Sequence, residues 1–166
     1  DGDSDGLGDE CDPAPGDPDA DDDGAPDGDD CAPLVPGVSE VPGQVGPSLR
    51  FDKSDGTMLR WLRGYQGHTS NIYRADGPSL PPLELFGCHI AETPHTELQD
   101  ADPPASGEIH YYIITARNSC GESEAGVNGD GGSRAAWMPC PTTGGDYESD
   151  GVPDLSDNCP LLSNPA

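Results

Sequence analysis

Short acidic side chains recur in this chain at a spacing that can build a shell of oxygen ligands. Residues 1–12 read DGDSDGLGDECD, residues 19–30 read DADDDGAPDGDD, and residues 146–157 read DYESDGVPDLSD. Counted from its first residue, each window has a carboxylate at positions 1, 3, 5, 9 and 12 and a glycine at position 6. The first window offers Asp1, Asp3, Asp5, Asp9 and Asp12. The second offers Asp19, Asp21, Asp23, Asp27 and Asp30, and the third Asp146, Glu148, Asp150, Asp154 and Asp157. A hard cation such as calcium takes roughly 6–8 oxygens at about 2.3–2.6 Å, and alternate acids on a curled loop can converge at that distance. Glycine at position 6 reaches positive φ without a Cβ clash and turns the chain. The carbonyl of position 7, from Leu7, Ala25 or Val152, then faces inward. Magnesium holds its waters and uses fewer protein ligands, so several Ca2+ ions are the expected cofactors.

The elements that position these acids are not helices. An EF-hand sets such a loop between two amphipathic helices, but here the flanks are PAPGDP, CAPLVPG and CPLLSNP. Proline at that density excludes the helix pair. The three windows instead resemble the thrombospondin type 3 repeat, whose aspartate-rich loops wrap calcium with almost no regular secondary structure. Window one, with Gly8 and Cys11-Asp12, resembles the family's shorter form. Windows two and three, with Pro26 and Pro153 at position 8, resemble the longer form, and residues 157–165 (DNCPLLSNP) match its linker. Two departures stand out: Cys31 follows Asp30 directly, where Asn158 separates Asp157 from Cys159, and position 3 of the third window is Glu148.

Six cysteines, Cys11, Cys31, Cys88, Cys120, Cys140 and Cys159, lie far apart with no CxxC pair. Structural zinc needs closely spaced thiolates, so disulfides in an oxidising compartment are the better reading. Six cysteines allow 15 connectivities. The repeat resemblance implies bridges across a window, Cys11 to Cys31 and Cys140 to Cys159.

The formal charge of −25 comes from 32 acids and 7 bases. Fourteen acids fall in residues 1–33 and five in residues 144–166, with no base in either stretch. The charge is therefore concentrated at the ends, unlike the even coat of a salt-adapted surface. Such a chain repels phosphate backbones and anionic lipid, which excludes nucleic acid as a partner, and no apolar run is long enough for membrane insertion.

The aromatics and bases gather between Val38 and Cys140. Apolar stretches at Ser48–Phe51, Thr57–Leu62, Ser70–Ala75, Leu83–Cys88 and Ile109–Ala116 alternate with the turn signals KSDG, GYQG, ADGPS and DPPASG. Short strands at this spacing predict an all-β, antiparallel sandwich. In the last stretch, period 2 places Tyr112, Ile114 and Ala116 on the core face, above Trp61, Leu59 and Ile72. The motifs TMLRWLRG, SNIYRADGPSL, Gly87-Cys88 and YYIITARNSCGES resemble a fibronectin type III-like sandwich of bacterial secreted proteins. That resemblance implies a Cys88–Cys120 bridge. The expected organisation is repeats over 1–33, a linker over 34–42, the sandwich over 43–139, and a further repeat with its linker over 140–166.

Catalytic constellations are missing from the sequence. His68, His89, His95 and His110 form no HxxxH or HExxH pair, and there is no GxSxG elbow or phosphate loop. The expected role is non-enzymatic: an extracellular, calcium-stiffened spacer or filament unit, secreted or at a cell surface. The ends, joined as NCPLLSNPA followed by DGDSDGLGDECD, suggest one period of a repeating chain and association with its own copies. The rival readings are a sandwich that binds carbohydrate or protein, and an accessory region of a secreted hydrolase. Chelation is expected to lengthen the end segments and leave the sandwich folded.

Overall fold

A computed structural model describes residues 2–6, 8–52, 57–127, 130–134, 136, 138–157 and 159–163. Strands are its only extended regular elements, and the chain is all-β. Strands β1 (Arg50–Phe51), β2 (Met58–Arg60) and β5 (Glu97–Gln99) form one antiparallel sheet in the order β1-β2-β5. Strands β3 (Thr69–Gly77), β4 (Gly87–Thr93), β6 (Ile109–Asn118) and β7 (Gly121–Glu122) form the other, in the order β4-β3-β6-β7. A small hairpin, β8 (Gly126–Val127) with β9 (Ser133–Arg134), follows.

The pairing of β3 with β6 runs without a break from Thr69 opposite Arg117 to Gly77 opposite Ile109. β3 is central, and its alternate residues are buried on both faces. On one face Ile72, Ile114 and Ala116 pack against Leu59, Trp61 and Val45, with Tyr112 at the margin. This is the core that period 2 predicts. The Trp61 indole satisfies its N–H by donating to Ser70 Oγ at 3.0 Å. The opposite face carries a second core that the periodicity leaves open, built from Tyr73, Ala75, Phe86 and Cys140 with Tyr111, Ile113 and Ala136 beside them.

The expected strand at Leu83–Cys88 is displaced. Leu83–Leu85 form a 3-10 turn behind Pro81-Pro82, closed by Phe86 N–H donating to the Leu83 carbonyl at 3.1 Å, and β4 starts only at Gly87. The KSDG turn at 53–56 lies outside the described residues.

The cysteine pairing differs from all three expected bridges. Cys31 is bonded to Cys120 and Cys88 to Cys140, with Cα separations of 5.4 and 5.1 Å. Cys11 and Cys159 are exposed and unbridged. Register explains why Cys88 does not meet Cys120. Cys88 stands opposite Tyr73, whereas Cys120 lies beyond Arg117, which stands opposite Thr69. Four residues along β3 are about 13 Å, with β4 and β6 on opposite sides of that strand. A disulfide spans only roughly 4.4–6.8 Å between Cα atoms. Cys140 instead reaches Cys88 because its N–H donates to the hydroxyl of Tyr73, the residue opposite Cys88, at 3.0 Å. Each bridge therefore joins a sandwich element to a flanking acidic segment rather than spanning a window.

Candidate metal centres

The three windows adopt one backbone shape. Position 4 is left-handed in each, at Ser4 (φ 70°), Asp22 (60°) and Ser149 (60°). Position 6 is a glycine with φ of 106°, 97° and 98° at Gly6, Gly24 and Gly151, where a Cβ would be strained. A turn follows, in which the position 8 carbonyl accepts the position 11 N–H: Cys11 to Gly8 at 2.7 Å, Asp29 to Pro26 at 2.8 Å, and Ser156 to Pro153 at 2.8 Å.

The acids are oriented by backbone donors, through one oxygen at positions 9 and 12 and through both at position 1. At position 9, Asp9, Asp27 and Asp154 accept the N–H of position 2, from Gly2, Ala20 and Tyr147, at 2.7, 2.8 and 3.0 Å. These bonds close each loop. At position 12, Asp12, Asp30 and Asp157 accept the N–H two residues on, from Ala14, Ala32 and Cys159, at 2.7, 2.6 and 2.9 Å. At position 1, Asp19 and Asp146 accept from positions 5 and 6. Asp1 and Leu7, the remaining ligands expected of window one, lie outside the described residues.

What remains is a set of converging oxygens. Ligand atoms of Asp3, Asp5 and Asp12 lie within 4.8 Å of one another, as do those of Asp19, Asp21 and Asp23, and those of Asp146, Glu148 and Asp150. The Oδ2 atoms of Asp3, Asp12, Asp21, Asp27, Asp30 and Asp157 are buried without a hydrogen-bond partner. Buried, like-charged oxygens without donors are costly unless a cation sits among them. Their acidities carry the same signature. Burial pushes the carboxyls of Asp12, Asp21, Asp30 and Asp154 above the usual range, and neighbouring carboxylates add to the rise. Glu148 is raised by its contact with Asp157 and by burial.

This donor set, all hard oxygen on curled loops, fits calcium. Asp3, Asp5 and Asp12 would hold it in window one; Asp19, Asp21, Asp23 and Asp30 in window two; Asp146, Glu148, Asp150 and Asp157 in window three. Position 9, expected as a ligand, gives one oxygen to loop closure, and only the second remains for the ion. A bound cation would supply charge neutralisation and a fixed centre for each loop.

Both acidic segments are fastened to the same end of the four-stranded sheet, where Thr69, Arg117 and Thr93 lie. After window two, Ser39 and Glu40 donate their N–H groups to Gln66 Oε1, each at 3.1 Å. Asn118 Nδ2 donates to the carbonyls of Glu40 and Gln66 at 2.9 and 3.0 Å. Before window three, the buried Glu92 accepts N–H bonds from Thr143 and Gly144 at 2.6 and 3.2 Å and pairs with Arg117 at 3.3 Å. The rings of His95 and Tyr147 meet edge to face at 4.7 Å. Sequence reasoning gave no role to Gln66, Glu92, Arg117 or Asn118. A lone polar residue at a strand end carries no spacing signal, so only the fold brings them together.

The fold and sites define an all-β chain in which calcium-type acidic loops dock on a β-sandwich. The family model for the thrombospondin type 3 repeat matches residues 140–166, which contain window three. That family consists of calcium-binding repeats of extracellular type, and the two disulfides suit a secreted protein. No curated protein and no solved structure matches the chain. Among the described residues no helix is long and apolar enough to cross a membrane.

Proposed function

We propose that the chain is a non-catalytic, calcium-stiffened connector of an extracellular structural protein, in which a fibronectin type III-like sandwich rides beside the calcium-binding track. The observation that carries this reading is the shared backbone shape of the three windows, with buried carboxylate oxygens that have no hydrogen-bond donor. Two disulfides and the Gln66, Asn118, Glu92 and Arg117 contacts support it, because they fix the direction in which each segment leaves the sandwich. In this reading bound ions offset the repulsion among the acids and convert loose segments into rigid ones, and binding to the folded form alone stabilises it by mass action. Head-to-tail continuation with further copies is the arrangement in which such stiffness has most use.

Small-angle scattering of the intact chain in calcium and after chelation tests the proposal. The expected result is a compact particle with calcium and a longer maximum dimension without it, while the near-ultraviolet signal of the sandwich persists. Identical dimensions in both conditions would sink the stiffening role.

A further inference from the structure

At the end of the sandwich remote from the calcium segments lies a pocket of about 420 Å3, formed between β1, β2, β6 and the loop that enters β6. The β3–β6 register runs from Thr69 opposite Arg117, beside the calcium segments, to Asp76 opposite His110, beside the pocket. Seven residues of strand put about 24 Å between these ends. The pocket therefore stays accessible while both acidic segments are docked.

Its walls are aromatic and apolar, and its rim is acidic. Phe51, half exposed, meets Tyr112 edge to face with ring centroids 5.8 Å apart, and Pro103 lines the same space. Among the described residues, four carboxylates, Asp76, Asp100, Asp102 and Glu108, stand in or beside the pocket against the Arg74 guanidinium and two imidazoles, His110 at 2.5 Å from Asp76 and His89 at 3.3 Å from Asp100. That guanidinium is committed to Asp100 at 2.8 Å, with Asp76 and Asp102 each at 3.8 Å. Asp100 is also held by the Tyr112 hydroxyl, which donates at 2.6 Å, so it serves as the fixed floor of the site. Asp102, whose side chain is 78% exposed, and the exposed Glu108 face solvent at the rim.

Aromatic faces beside an excess of carboxylates select an organic cation with an apolar stem. A neutral sugar gains from the rings but leaves the acidic excess without a counter-charge. A planar guanidinium stacks on a ring and pairs with carboxylates at its edge. We infer that this pocket at the far end of the sandwich receives an arginine or lysine side chain of a basic segment on a partner polypeptide. The sandwich then presents a recognition site at the opposite end from its calcium anchors, an inference that does not depend on the stiffening role.

The test is an amide-resolved NMR titration of the calcium-loaded full chain with three blocked tripeptides, glycine-arginine-glycine, glycine-lysine-glycine and glycine-citrulline-glycine, and with methyl glucoside. The expected result is saturable shifts at Phe51, His110 and Tyr112 with the two cationic peptides, and a weaker response to the neutral citrulline peptide and the glucoside. The double substitution D102N/E108Q should weaken arginine binding about tenfold, the scale of two partly exposed charge pairs, and E84Q, an exposed acid elsewhere, should leave it unchanged. Equal binding of citrulline or glucoside, shifts confined to the acidic windows, or equal loss with E84Q would overturn the inference.

Discussion

Asn118 shows how much one side chain can organise at the junction between sandwich and calcium segment. It is 1% exposed, donates to the carbonyls of Glu40 and Gln66, and accepts the N–H groups of Cys120 and Gly121 at 3.0 and 3.2 Å. Leucine at this position strands those groups in a dry site. Asn118→Leu is expected to cost about 3 kcal/mol in urea denaturation of the calcium-loaded protein, and a loss below about 0.5 kcal/mol would contradict that role. Asp100 provides a second check. Burial pushes its carboxyl up, but donation from Tyr112 and Arg74 outweighs burial and holds it at about 2. A carboxyl lowered in this way contributes stability above its unfolded value near 3.8, and the contribution is lost as pH falls through about 2. The stability gap between wild type and Asp100→Asn should therefore be full at pH 6 and shrink below pH 3. A gap that stays constant with pH would contradict the assignment. The cysteines were the least legible residues. The repeat resemblance implied Cys11 with Cys31 and Cys140 with Cys159, but the windows close through their own hydrogen bonds, and the sheet register decides which thiols meet.

At the scale of elements, the windows were legible because their chemistry is local. Alternate acids, Gly6, Gly24 and Gly151, and the turn from position 8 to 11 all follow from positions within twelve residues. The long strand β6 was legible for the same reason, as its β-branched and aromatic run is uninterrupted, whereas β3 was legible only to Ala75, because it continues through Asp76 and Gly77, where the sequence carries a turn signal and β6 supplies the pairing. β5, only Glu97–Gln99, and β7, only Gly121–Glu122, are too short and polar to show a period; β7 is templated by the longer β6, and β5 pairs residue for residue with the equally short β2. The window carboxyls make a prediction whose sign is the reverse of that for Asp100. Asp12, Asp21, Asp30 and Asp154 are raised, so without cation their contribution is present below about pH 4 and is lost as pH rises through their elevated values. In chelator, amide exchange within the windows should speed up as pH rises above about 4 by more than the intrinsic rate does, and calcium should abolish the excess. No excess in chelator would mean that the acids do not repel one another in the folded loops.

For the whole molecule, the docking contacts change the simplest picture of a bead between two independent tails. Cys31–Cys120 and Cys88–Cys140 close loops of 89 and 52 residues that cross between the sandwich and its flanks. On the chain-entropy view each such closure contributes about 4–5 kcal/mol. Both calcium segments meet one end of the four-stranded sheet, so the sandwich stands to the side of the line that joins them. Composition had already located the acid at the two ends, but only the register of β3 against β4 and β6 shows that these ends converge. Native mass spectrometry of the intact, disulfide-bonded chain in calcium shows most directly whether each window is a calcium site. At least one retained ion per window is expected, and fewer ions when Asp19, Asp21 and Asp23 are all replaced by asparagine. No retained calcium, or the same count in the substituted chain, would contradict it.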